Sequence, residues 1–390
     1  MSEKLVPKIR FEGFSDEWEQ RMLGDVFSER SERSSEGELI SVTINSGVVK
    51  ASELDRKDNS SNDKSNYKKV EVGDIAYNSM RMWQGASGYS SYDGILSPAY
   101  TVIIPKEGID SKFFAYDFKR HDMIQTFKRN SQGLTSDTWN LKFPTLKSVK
   151  VMVPCMEEQT KISNFFERLD TTITLHQRNV EQLKQLKKAY LEKIFSQQIR
   201  FSGFTENWEQ RKLGDIFKKD TQKNKDIEFH SDSVISVAKM KLSPPSAKSS
   251  DEYMKTYNKI WRGNIAFEGH TNDEFPNGRF VLNDCQDGIV SHIYDVYSAI
   301  DEYDNEFMKR YINDPDVMRK ILINATSSAR MMKSLNSVEF LKQNILLPIL
   351  SEQHQIGKFF YQLDQTITLH QRKLDNLTKL KKYYLQQMFI

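Results

Sequence analysis

The chain writes its frame twice. Residues 9–27 run IRFEGFSDEWEQRMLGDVF and residues 199–217 run IRFSGFTENWEQRKLGDIF, an offset of 190. Residues 158–195 and 352–389 then share EQ..I..FF..LD.TITLHQR followed by L..LKK.YL...F, an offset of 194. Self-similarity of this length constrains architecture before any local propensity does. Between the shared blocks lie two interiors of similar length and mostly different sequence. The chain must therefore carry two unlike inserts on one repeated scaffold.

The longer shared block predicts a helix with a coiled-coil seam. Ile162, Phe166, Leu169, Ile173, Val180, Leu183, Tyr190 and Ile194 fall at alternating steps of four and three once His176 and Lys187 fill the gaps. The second copy repeats the pattern at Ile356, Phe360, Leu363, Ile367, Leu374, Leu377, Tyr384 and Met388, with Gly357 near its start. Such a rod, about 57 Å long at about 1.5 Å per residue, exposes an apolar stripe unless a partner covers it. Two rods in one chain can cover each other. Antiparallel pairing is expected, with one globular unit at each end and residue 390 returning close to the first unit.

Each interior reads as mixed strand and helix. LISVTI (39–44), GDIAYNSM (73–80), ILSPAYTVIIP (95–105) and VKVMVP (149–154) predict strands, and residues 110–129 predict a helix. SVISVAKM, GNIAFEGH, GIVSHIYDVYSAI and ILLPIL answer them in order, with a helical stretch at 304–322 interrupted at Pro315. Residues 55–69 read as a polar surface loop. The expected fold class is α+β: two globular domains separated by two long antiparallel coiled-coil helices, related by a pseudo-two-fold internal repeat. The expected boundaries are 1–156, 157–198, 199–350 and 351–390.

Fifty-six basic against 53 acidic residues give a net charge of +3, so the total does not announce a polyanion partner, although a local basic face fits within it. Cys155 and Cys285 form no paired-cysteine zinc spacing, and two distant cysteines suit a reducing compartment. No signal core and no apolar run of the ~18–20 residues that span a bilayer is present, so a cytoplasmic, non-membrane protein is expected. GxxxxGK[ST], GxGxxG after a strand, an Asn-Pro-Pro-aromatic run, GxSxG and HExxH are all missing. These absences speak against a nucleotide-hydrolysing or methyl-transferring chain.

The chemistry-bearing residues lie in the unlike interiors. At the end of the second predicted strand and just beyond it lie Ser79, Arg81, Trp83 and Gln84, and at the end of the helix and beyond it lie Lys128, Arg129, Ser131, Gln132 and Thr135. The second interior places His270, Asn272 and Arg279, then Ser328, Arg330 and Lys333, at matching positions. Arg, Gln, Asn and Ser read base edges, and Lys and Arg hold phosphates. His176 and His370 fall on the seam, where a polar residue fixes register; neither has the partner at i+4 that a helical metal site needs. No metal site is expected. WEQR.LGD at both domain starts reads as a structural anchor.

These blocks resemble the specificity subunit of a type I restriction–modification enzyme. The resemblance rests on the twin EQ…FF..LD.TITLHQR…LKK.YL helices, the GF…WE.R.LGD domain starts, SPAY at 97–100 and the strand–Pro–EQ junctions at Pro154/Gln159 and Pro348/Gln353. SHIY at 291–294 departs from SPAY while keeping Ser and Tyr. The resemblance implies two target-recognition domains that read an asymmetric, split site on double-stranded DNA. It implies that the helices form an antiparallel spacer and dock two methylation (M) subunits, with Phe166, Leu169, Ile173, His176 and Arg178 and with Phe360, Leu363, Ile367, His370 and Arg372 as their docking or spacer residues. Restriction/translocation (R) subunits would join them. S-adenosylmethionine, ATP and magnesium would sit on those partners, with no cofactor bound by this non-catalytic chain. Two domains reading one duplex need a separation of about one helical turn, roughly 34–36 Å, or a multiple. The alternatives are a coiled-coil adaptor without DNA and a stand-alone DNA-modifying enzyme.

Overall fold

The computed structural model describes residues 5–55, 60–135, 138–243, 251–328 and 332–390. The chain forms two compact units, Met1–Arg178 with Gln371–Ile390, and Asn179–His370. Each unit takes one part of each long helix, Met156–Phe195 and Leu350–Gln387. In the first unit Ile162, Phe166 and Leu169 are buried; in the second, Ile356 and Phe360 are. Every residue of the predicted seam is buried or half-buried, including His176 and His370.

The helices run antiparallel in both units. In the first unit, the beginning of one meets the end of the other: Phe165 packs edge-on against Tyr384 at 5.2 Å and Asp170 pairs with Lys381 at 2.5 Å. In the second, Tyr190 packs against Phe359 at 5.3 Å and Lys187 pairs with Asp364 at 2.6 Å. Residue 390 does return to the first unit, where Arg120 donates to its carbonyl at 2.7 Å and Phe389 packs near Trp18.

The repeat extends to the sheets. The first unit has an antiparallel sheet in the order Phe27–Glu29, Tyr100–Pro105, Ile75–Asn78, Ser87–Tyr89. The second has Phe217–Asp220, Val296–Ala299, Ile265–Glu268, Arg279–Leu282 in the same order. The anchor strand Glu19–Met22 pairs with Lys150–Val153, and Glu209–Lys212 pairs with Asn344–Leu347. Each unit buries an aromatic core against its own helix segments: Trp18, Phe113, Phe114, Phe166 and Phe389 in one, Trp208, Phe307, Tyr311, Phe195 and Phe360 in the other.

Buried polar latches join each domain to its helix. Glu158, fully buried, receives a two-pronged bond from Arg10 at 2.7 Å and another from the Trp18 indole N–H at 3.2 Å. That bonding holds the Arg10 pKa above its ordinary value. Glu352 receives Arg200 at 2.9 and 2.6 Å, while the Trp208 indole N–H has no bond. Gln159 accepts from the Asp110 amide and donates to the Pro154 carbonyl; Gln353 does the same with Asp304 and Pro348. The repeated EQ is thus a structural clamp.

Several elements differ from the expectation. The helix over 110–129 is two helices, Ser111–Asp117 and His121–Asn130. Arg120 between them turns inward to Asp117 and the residue 390 carbonyl, which no continuous helix would allow. The second unit breaks at the matching place, where Pro315 is the first residue of Pro315–Ala325 and Asp314 caps it. The stretch 95–105 is also two strands, Gly94–Leu96 and Tyr100–Pro105, in different sheets. SPAY makes the turn between them, with the Tyr100 amide donating to Ser97 at 3.0 Å; SHIY makes the same turn, Tyr294 to Ser291 at 3.1 Å. Within 55–69, Lys68 and Lys69 begin the strand Lys68–Val70, and residues 56–59 lie outside the described ones. SVISVAKM keeps only Ile235–Ser236 as strand.

Candidate nucleic-acid interface

In the first unit the strand Ile75–Asn78 runs into a short turn, Met82–Gln84, closed by Gly85 in the left-handed region at φ 84°. A side chain there would be strained, and glycine is not. The helix His121–Asn130 delivers the chain to a loop that doubles back over this turn. The Leu141 amide donates to the Ser79 carbonyl at 2.8 Å, and Trp139 packs edge-on against Trp83 at 5.2 Å. The Lys128 ammonium lies over the Trp139 ring at 5.6 Å, and exposed Arg81 reaches Gln84 Oε1 at 3.4 Å. Arg81, Trp83, Gln84 and Lys128, drawn from two segments, therefore gather around one indole pair. Gln132 and Thr135 stand exposed on the loop beyond it.

Three other residues sit less freely. Ser79 is buried and its hydroxyl is shared with Thr101 at 2.8 Å, so packing and not solvent holds it. The Ser131 hydroxyl donates to the Phe127 carbonyl, capping the helix end, and the Arg129 guanidinium donates to Thr126 Oγ1 at 3.1 Å. Two further residues of this region, Trp139 and Asn78, are absent from the sequence-derived set. An aromatic residue in an otherwise polar loop is the available sign for Trp139. Asn78 lines a cleft of about 680 Å³ with Arg81, Ser97, Tyr100, Ser41 and Tyr67, and only the sheet topology brings these together.

Lys119 braces the turn from behind, donating to the Gly85 carbonyl at 2.5 Å and to the Ile44 carbonyl at 2.9 Å. Burial, with the nearby Lys381 charge, pushes its pKa down from 10.5 to about 8. A depressed lysine binds its proton less well folded than unfolded, so stability rises as pH climbs from about 8 towards 10.5. Below about 8 the penalty is constant. Against a Lys119→Met variant, the wild type should gain on the order of 1–2 kcal/mol in urea unfolding between those limits. A parallel response of both proteins would refute this.

The second unit repeats the convergence with different residues. The Lys333 amide donates to the Gly269 carbonyl at 2.8 Å, and Thr326–Ser328 pairs with Lys333–Leu335, so loop 269–279 and this hairpin adjoin. His270 bonds the buried Glu268 carboxylate through ring and backbone nitrogens. Asn272 accepts from the Phe275 amide at 2.8 Å, and Arg279 lies 4.9 Å over the Phe275 ring while donating to the Ala238 carbonyl. Ser328 is described as strand backbone only, and Arg330 lies outside the described residues.

On the helices, Phe166, Leu169, His176 and Phe360 are buried and Ile173, Leu363, Ile367 and His370 half-buried. Arg178 and Arg372 are exposed, and beside them stand Leu175 and Leu369, 56% and 66% exposed, which lie off the seam pattern. Among the described residues, no group of three or more His, Cys, Asp or Glu is arranged to hold a metal ion, and no helix is long and apolar enough to cross a membrane.

Residues 15–185 and 205–379 match the family described as type I restriction modification DNA specificity domain. A stretch of 137 residues is 32% identical to the type I restriction enzyme MjaIX specificity subunit of Methanocaldococcus jannaschii, covering 31% of each chain. The match thus spans about a third of that curated relative's length. The fold is similar to the crystal structure of the type I restriction–modification S subunit from M. genitalium, with a TM-score of 0.59, 14% identity and 99% of each chain covered. It is also similar to a chain from a study of complex assembly and conformational transition in the type I system, with a TM-score of 0.51, 14% identity and 95% and 97% covered.

Proposed function

This chain belongs to the type I restriction–modification DNA specificity family, and from that premise we propose that it is the non-catalytic subunit that chooses the DNA sequence. Each unit reads one short word of duplex DNA, and the words differ because the inserts differ. The observation that carries this reading is the pair of loop clusters. One repeated frame brings Ser79 and Trp83 against Leu141 and Trp139 in one unit and Gly269 against Lys333 in the other, and the loop sequences around them are unrelated. The long helices keep an unread gap of fixed length between the words. S-adenosylmethionine, ATP and magnesium belong to partner subunits.

The deciding experiment exchanges residues 28–155 for those of a relative, expresses the hybrid with its methylation subunit, and sequences modified DNA. One word should change while the other word and the gap persist. Changes in both words, or a gap that varies from site to site, would remove the proposal.

The methylation subunits dock at the twin runs 171–178 and 365–372, where Leu175 with Arg178 and Leu369 with Arg372 stand exposed. Leu175→Asp and Leu369→Asp should each lose one of two bound subunits in native mass spectrometry, and the double variant both. Full occupancy in the double variant would place docking elsewhere.

A further inference from the structure

We propose that Leu134 is a wedge that enters the base stack of the duplex read by the first unit. This rests on the DNA-reading proposal above and adds a deformation of the DNA to it.

Leu134 is 101% exposed, the most exposed of the large apolar side chains among the described residues. It belongs to none of the apolar clusters that hold the unit together, so folding does not require leucine there. It projects from a narrow, braced stalk. Gln132 and Asn140 exchange backbone bonds at 3.0 and 2.8 Å, and the Thr138 amide donates to Thr135 at 3.0 Å. Gly133 sits at φ 151°, where an added Cβ would lie 2.6 Å from the Thr138 carbonyl oxygen. Only glycine lets the two sides of the loop come so close. The stalk is rooted in the Trp83–Trp139 pair, with Lys128 above it and exposed Arg81 on the same turn as Trp83.

This arrangement suits a duplex better than a protein. A protein partner engages a contiguous apolar patch. Here one apolar side chain rises alone from polar loop residues, with cations at its base. Proteins that kink DNA push single Leu, Phe, Ile or Met side chains between base steps while cations hold the flanking phosphates. Unstacking a step has a cost that varies with sequence, so a wedge also lends specificity at positions where no side chain meets a base edge. The matching position of the second repeat is Ser328, which cannot act in this way. The second word should therefore lack this deformation at the matching step.

The test uses the full chain with its methylation subunit and duplexes carrying 2-aminopurine at successive positions, the methylated adenines excepted. Wild type should brighten one step of the first word several-fold. Leu134→Ala should abolish that signal and weaken binding roughly tenfold, with an unchanged salt slope because leucine neutralises no phosphate. Leu134→Phe should keep the signal. Wild-type binding without any brightened step, or a signal that survives in Leu134→Ala, would overturn the wedge alone. Loss of the methylation subunit in Leu134→Ala would overturn it in favour of a protein-docking role. Failure of the wild type to bind DNA at all would instead overturn the reading on which the wedge rests.

Discussion

Glu158→Ala should destabilise the first unit by about 3–5 kcal/mol, because it leaves a largely buried guanidinium and a buried indole N–H without their acceptor. Arg10 is 14% exposed at its side chain and Glu158 fully buried, so water cannot replace the missing carboxylate. Urea unfolding followed by tryptophan fluorescence measures the loss. The control is Arg10→Leu with Glu158→Leu, which removes both charges and should cost far less than the single change. The second latch supplies a graded comparison. Glu352 holds Arg200, but the Trp208 N–H does not reach it. Glu352→Ala should therefore cost measurably less than Glu158→Ala. A loss below about 1 kcal/mol for Glu158→Ala would show that the latch contributes little beyond geometry.

Removing the basic groups around the indole pair should have the largest effect on DNA affinity. Arg81→Ala, Lys128→Ala and Arg129→Ala together should lower affinity by roughly two orders of magnitude at low salt, and the salt slope should fall by about 0.9 for each phosphate no longer neutralised. Nothing in their packing suggests a folding defect, since Arg81 and Lys128 are exposed and make few bonds. Unchanged affinity and slope, measured by fluorescence anisotropy across a salt series, would move the reading surface away from this cluster. Arg129 should contribute least of the three, because Thr126 already holds its guanidinium.

The frame was legible because its signals are periodic or duplicated. Alternating steps of four and three exposed the seam, and repetition identified the helices as partners. What stayed hidden were breaks that depend on long-range packing. Nothing local in residues 118–120 ends a helix; the reason lies in the inward turn of Arg120 towards residue 390. The second repeat does carry the sign, since Pro315 stands where His121 starts its helix, and the two copies aligned position by position show the break. The sheet switch at SPAY was hidden for a similar reason: both flanking strands are apolar, and periodicity cannot say that they join different sheets. Among candidate site residues, chemistry singled out Arg81, Trp83, Gln84 and Lys128, which the fold assembles. It gave no sign that Ser79 is buried, because burial follows from the sheet and not from residue type.

Gln159 and Gln353 grip what lies beside them by main-chain groups: the Asp110 and Asp304 amides and the Pro154 and Pro348 carbonyls. Every residue other than proline offers an amide and every residue a carbonyl. These glutamine bonds are blind to side-chain identity. At this joint a foreign insert of the right path would be gripped by the same main-chain bonds, so new sequence preferences can be grafted without redesigning the glutamine clamp, provided that the apolar side chains packed against the helices are kept.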